Sequence, residues 1–371
     1  MGNLGTFIKG APLSKADITD EGTPFVLYGE LYTTYGEVTH SIKRRTDKVV
    51  EPQFYSNVGD VIMPTSGETP EDIATASCIM LPDVILAGDL LIYRTQKVDG
   101  RLVSFVVKNK VNKQISSVAQ GKSVVHVRAE ELSKIAISYP SDAEQHKILT
   151  MLELLEDKMS KQRELIEHLK KYKRGVSNTF FNDKVVAECS AVLPFGQAVE
   201  INPKTKSLPT EFIYIDLESV ESGKLLQENI ISHDNAPSRA QRVLTKGDVL
   251  FQMVRPYQKN NFYFESELSL PAVASTGYAQ IRCVDNDPLF VFEQISSDYF
   301  ANEAMLRSTG TGYPAINADS LAEIPFIKHP IEEQRKIGKF LYLLSQRIIQ
   351  EESKLEALLK VKGAMLQSLF I

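Results

Sequence analysis

The strongest constraint on this chain is that it is written twice. Two spans, 141–193 and 331–371, contain none of its seventeen prolines. Each carries apolar residues at alternating steps of four and three. In the first the stripe runs Ile148, Leu152, Leu155, Met159, Gln162, Ile166, Leu169, Lys173 and Val176. In the second it runs Ile337, Leu341, Leu344, Ile348, Glu351, Leu355, Leu358, Lys362 and Met365. Every member of the second series stands 189 residues after its counterpart (337 − 148 = 189), and the polar interruptions fall at the same steps, Gln162 with Glu351 and Lys173 with Lys362. Such a stripe predicts a long helix with a narrow adhesive seam that needs a partner helix. A helix of roughly 40 residues is about 60 Å long. Pro140 and Pro330 stand just before the two spans, where proline suits a helix entrance, and Ser141-x-x-Glu144 has the capping-box pattern.

The repeat extends outside the helices. Thr23-x-Phe25 matches Thr210-x-Phe212 at an offset of 187, Gly59-Asp60-Val61 matches Gly247-Asp248-Val249 at 188, and Leu132 and Ile135 match Leu321 and Ile324 at 189. Between these landmarks the halves share little, so one framework carries two different fillings. Short β-rich runs predict strands around Phe25-Val26-Leu27, Val61-Ile62-Met63, Phe212-Ile213-Tyr214 and Val249-Leu250-Phe251. The chain of 371 residues is therefore expected to be α+β. Two globular strand-rich domains, 1–140 and 182–330, are separated by long helices at 141–181 and 331–371, which form an antiparallel coiled coil with an internal pseudo-two-fold repeat. The competing arrangement folds each helix back on its own domain.

Catalytic patterns are missing. Gly121-Lys122-Ser123 resembles the end of a phosphate loop, but the glycine needed five places earlier is Ser116. Asn286-Asp287-Pro288-Leu289-Phe290 resembles the Asn-Pro-Pro-aromatic motif of amino-methyltransferases, but Asp287 breaks it. Gly310-Thr311-Gly312 has no third glycine at dinucleotide spacing and reads as a turn. The six histidines have no zincin spacing, and Cys78, Cys189 and Cys283 are too far apart in sequence to suggest a metal site, so no metal is expected. Cysteine usage and the lack of a signal pattern or a long apolar run predict a cytoplasmic protein without a membrane anchor. A binding module is the default.

The net charge of −5 means that nucleic-acid contacts must rest on local patches. Such patches occur in both halves. The first offers Lys43, Arg44, Arg45 and Lys48, then Arg94, Gln96 and Lys97, then Lys113 and Gln114. The second offers Lys204 and Lys206, then Arg239, Gln241 and Arg242, then Arg255, Tyr257, Gln258, Lys259 and Asn260. Lys and Arg neutralise phosphates, while Arg on guanine and Asn or Gln on adenine make paired hydrogen bonds in the major groove.

The order domain, helix, domain, helix, the entrances Glu144-Gln145-x-Lys147-Ile148 and Glu333-Gln334-x-Lys336-Ile337, and the framework runs Gly5-Thr6-Phe7-Ile8-Lys9-Gly10, Gly59-Asp60-Val61-Ile62 and Gly247-Asp248-Val249-Leu250 carry a family likeness. Along essentially its whole length the chain resembles the specificity subunit of a type I restriction-modification system. The resemblance implies a subunit without a catalytic site, whose two target recognition domains each read half of a bipartite site in double-stranded DNA. It implies that the paired helices fix the gap between half-sites and that two methyltransferase subunits dock there. S-adenosylmethionine then belongs to those subunits, ATP and magnesium to added restriction subunits, and no cofactor to this chain. Half-sites about one helical turn (~34 Å) apart suit paired readers. The alternative is a duplicated coiled-coil scaffold for protein partners that touches no DNA.

Overall fold

The computed structural model describes residues 1–121, 125–188, 191–205, 207–265 and 268–369. It divides into two compact units, Met1–Ser160 with Ala357–Ile371, and Lys161–Glu356. The two long helices, Asp142–Phe180 and Ile331–Leu369, are 39 residues each. The first gives its beginning to unit 1 and the rest to unit 2, and the second does the reverse.

Unit 1 holds a five-stranded sheet in the order Gly5–Lys9, Leu90–Thr95, Asp60–Pro64, Ser77–Ile79, Val38–Thr39. A three-stranded sheet places Thr23–Leu27 between Arg44–Thr46, antiparallel to it, and Ile85–Ala87, parallel to it. The helix Gly100–Asn109 closes the main core with Leu102, Val103, Phe105, Val106 and Val107 buried.

Unit 2 repeats this plan. One sheet has the order Glu200–Ile201, Tyr278–Arg282, Val249–Gln252, Phe262–Tyr263. Its three leading strands correspond to the three leading strands of the five-stranded sheet, and even the register is kept. Val61 faces Tyr93 in unit 1, and Val249 faces Ile281, 188 residues on, in unit 2. The second sheet again pairs a central strand, Glu211–Ile215, antiparallel with Asn229–Ser232 and parallel with Ala272–Ser275. The extra edge strand Ala240–Val243 is added beyond it. Gly59 and Gly247 open the equivalent strands at φ +95° and +91°, a backbone only glycine adopts cheaply. A shared sheet plan therefore underlies halves whose sequences match only at landmarks.

The seams are covered. All fourteen apolar seam residues, from Ile148 to Val176 and from Ile337 to Met365, are buried or half-buried, while His146 and His168 point to solvent. In unit 1 the beginning of the first helix (Ile148, Leu149, Leu152) shares a core with the end of the second (Met365, Leu366, Leu369). In unit 2 Gln162 of the first helix donates from Nε2 to Glu351 Oε2 at 2.7 Å and to its carbonyl at 2.9 Å, while further along Lys173 reaches Ser345. One helix thus ascends as the other descends, and a repeat position meets its own counterpart, as antiparallel pairing of equivalent helices requires. The other polar interruption is explained by charge. Lys173 pairs at 2.8 Å with Glu293, 1% exposed, and Lys362 pairs at 3.2 Å with the buried Glu37. Burial works to raise the Glu37 carboxyl, but Lys362 and then Lys108 outweigh it and hold it down at about 2.

The helix entrances work as latches. Gln145 accepts from the Asp99 N–H at 3.1 Å and donates to the Pro140 carbonyl at 3.1 Å. Gln334 accepts from the Asp287 N–H at 2.9 Å and donates to the His329 carbonyl at 2.8 Å. Asp99 and Asp287 are the N-caps of equivalent domain helices, Gly100–Asn109 and Pro288–Ile295. The Glu-Gln entrance therefore repeats because its glutamine ties each long helix to the first turn of a domain helix. At Ser141 the Glu144 carboxylate reaches back to the Ser141 N–H at 3.0 Å, and the Ser141 hydroxyl donates to the same carboxylate.

Candidate nucleic-acid interfaces

The sheets carry the candidate residues outward on strand ends and loops, and their partners separate framework from free surface. Asp60 and Asp248, both buried, follow the paired glycines. Arg94 Nε donates to Asp60 at 3.1 Å, and its Nη2 donates to the carbonyls of Gln53 and Tyr55. Arg282, 188 residues later, makes the equivalent bond to Asp248 at 2.9 Å. Arg94 is thus spent on the framework of unit 1. The matched offsets of Arg94 with Arg282 and Asp60 with Asp248 were the sequence signal for this.

In unit 1, Arg44 pairs with the buried Glu30 at 2.8 Å, and Arg45 donates to the Gly22 carbonyl at 2.8 Å. Lys43, Lys48, Gln96, Lys97, Lys113 and Gln114 are exposed. The structure brings Arg44 to the wall of a cleft of about 990 Å³, with Lys9, Lys15, Tyr28, Thr33 and Phe54 around it. Lys97 and Lys113 are not among the residues lining it.

In unit 2, Thr205 Oγ1 donates to the Gln241 carbonyl at 3.0 Å, which lays the exposed Lys204 along the edge strand that bears Gln241 and Arg242. Arg239 is exposed, and the Gln241 side chain donates to the Ser238 carbonyl. Arg242 is half-buried, and its Nε has no hydrogen-bond partner among the described residues. Burial lowers its affinity for a proton. Lys206 lies outside the described residues, as do Cys189 and the Lys122-Ser123 of the incomplete phosphate loop.

The loop after Val249–Gln252 divides the remaining candidates. Gln258 Oε1 accepts from Gln252, the Asn260 N–H donates to Gln252 Oε1, Asn260 Oδ1 accepts from the Ser222 N–H, and Lys259 pairs with Asp298. Arg255 and Tyr257 remain. Tyr257 is half exposed, and Arg255 lies over the Tyr313 ring with its guanidinium carbon 4.3 Å from the centroid. Tyr313 was not singled out by sequence, since its loop reads simply as a glycine turn.

Among the described residues no cluster of three or more metal-ligating side chains occurs, and no helix is long and apolar enough to cross a membrane. Burial pushes the Cys78 thiol up strongly and that of Cys283 to about 12.

No family model matches the chain. The specificity subunit of the type I restriction enzyme MjaVIII from Methanocaldococcus jannaschii is 22% identical over 394 aligned positions, spanning 100% of this chain and 90% of the relative. The specificity subunit of the type I restriction enzyme EcoDI from Escherichia coli is 22% identical over 267 positions, spanning 61% of this chain and 58% of the relative. Among solved structures, the type I restriction-modification S subunit from Mycoplasma genitalium shares the fold with a TM-score of 0.66 at 18% identity, over 100% of this chain and 94% of that one. With its doubled framework and antiparallel helices, the chain is similar over its full length to specificity subunits of type I restriction-modification systems and shares their fold.

Proposed function

We propose that the chain gives a type I restriction-modification complex its DNA sequence specificity, each unit reading one half of a bipartite site. The recognition domains comprise 1–140 and 182–330, and the helices 141–181 and 331–371 set the gap between half-sites. Two methyltransferase subunits dock on this chain and bring S-adenosylmethionine, and restriction subunits bring ATP and magnesium. The observation that carries this reading is one sheet framework presented twice under unlike outer loops. Similar sheet frameworks with different exposed Arg, Gln and Asn sets suit two different base sequences.

The test maps methylated adenines genome-wide in cells with and without the protein. A two-part motif with a fixed unread gap, lost when the protein is removed, is expected. An unchanged methylation pattern refutes the reading. The scaffold alternative is separated by a gel shift with partner subunits present. DNA binding through phosphates must weaken steeply as salt rises, whereas a protein scaffold gives no shift.

A further inference from the structure

Most arginines on the outer faces are committed to internal partners, such as Arg44, Arg94, Arg282 and Arg307 to carboxylates. Arg255 differs in three respects. Its backbone is left-handed at φ 54°, ψ 57°, a region that a long side chain occupies only at a cost in stability. No carboxylate pairs with it among the described residues, and its Nε is buried without a partner. Its guanidinium carbon lies over the Tyr313 ring instead.

The surroundings hold this geometry firmly. The Arg255 N–H donates to the Pro314 carbonyl at 2.7 Å, and the Ile316 N–H donates to the Met253 carbonyl at 3.0 Å, which ties the loop to the strand-like segment after Tyr313. From below, the buried Asn261 accepts from the Gln252 N–H and donates to the Ile295 carbonyl. A second left-handed residue, Lys259 at φ 54°, closes the turn.

We propose that Arg255, stacked on Tyr313, is the residue with which unit 2 reads a guanine in its half-site. This rests on the reading that unit 2 meets DNA. With Nε hidden, the two terminal nitrogens are the part left to face a ligand. They form a fork that matches O6 and N7 of guanine in the major groove. A phosphate contact needs charge alone, which a flexible lysine supplies. A planar group fixed by stacking and by a strained backbone is pre-organised, and that suits a partner with two acceptors in one plane.

The test uses the full chain with its methyltransferase subunits and selects binders from a library of randomised DNA duplexes. The wild type is expected to select guanine at one position in one half-site. Arg255→Lys should reduce that preference about 10- to 100-fold and leave the other half-site unchanged. Arg255→Gly should do the same without loss of thermal stability, because glycine accepts this backbone, so misfolding does not explain the result. Tyr313→Phe should keep the preference and Tyr313→Ala should weaken it. Equal weakening on all sequences with a shallower salt dependence would make Arg255 a phosphate contact and overturn the proposal. Unaltered selectivity in Arg255→Lys and Arg255→Gly also overturns it. If the wild type selects no sequence at all, the DNA-reading function itself falls; a selective wild type with unaffected variants removes only the role of Arg255.

Discussion

Replacing Gln334 by alanine should open one helix entrance and leave the other closed. Gln334 is 1% exposed and makes three hydrogen bonds, from the Asp287 N–H at 2.9 Å, to Asn286 Oδ1 at 2.9 Å and to the His329 carbonyl at 2.8 Å. At about 1 kcal/mol per bond the local loss is about 3 kcal/mol, which corresponds to roughly a hundredfold in an opening equilibrium. A chain of two units is poorly served by a single unfolding curve, so amide hydrogen exchange by mass spectrometry is the assay. Peptides over 283–295 should exchange roughly a hundredfold faster in Gln334→Ala, while peptides over 99–109 keep their wild-type rate. Gln145→Ala should show the reverse. Its effect should be smaller, because its bonds to Asp99, Pro140 and Asp142 are 3.1, 3.1 and 3.3 Å. Gln334→Glu keeps the acceptor for Asp287 but turns the donor into an acceptor facing two oxygens, so it should lose about two of the three bonds. Unchanged exchange around Asp287, or equal acceleration in both regions, would refute the latch.

Three further outcomes are expected. The Glu37 carboxyl is held near 2 against an ordinary 4.5, so its contribution is full above pH 4.5 and is lost as the pH falls towards 2. About 3 kcal/mol of acid sensitivity should therefore disappear from the pH dependence of unit 1 opening, read by amide hydrogen exchange, in Glu37→Gln. Gly338→Ala would drive a methyl into the Phe290 backbone nitrogen, so it should lower unit 2 stability by about 2 kcal/mol or more, read as faster amide exchange across unit 2, because backbone cannot move aside cheaply. Arg94→Met should destabilise unit 1 by leaving the buried Asp60 carboxylate short of a partner, while the salt slope of DNA binding, measured under conditions where the variant is folded, stays as in the wild type.

The duplication and the paired helices were legible in the sequence because period and offset survive divergence. A 4-3 stripe specifies a helix seam whatever the exact residues, and Gly59 with Gly247 is favoured by a positive-φ backbone that glycine adopts most cheaply. The reason for the polar interruptions was not legible. Gln162 meets Glu351 because of register between two helices, and Lys362 finds Glu37 across 325 positions of sequence. The candidate interface was read by residue type alone, and type does not reveal commitment. Arg94 and Arg255 look alike as letters, yet one is spent on Asp60 and the other rests on Tyr313. A left-handed arginine is likewise invisible in sequence, since its strain is imposed by tertiary contacts.

Exchanging residues 24–130 for the matching segment of a type I specificity subunit, followed by genome-wide mapping of methylated adenines, tests the proposed two-reader arrangement most directly. One half of the bipartite motif should change, with the other half and the gap retained. A motif altered in both halves, or in neither, would contradict it.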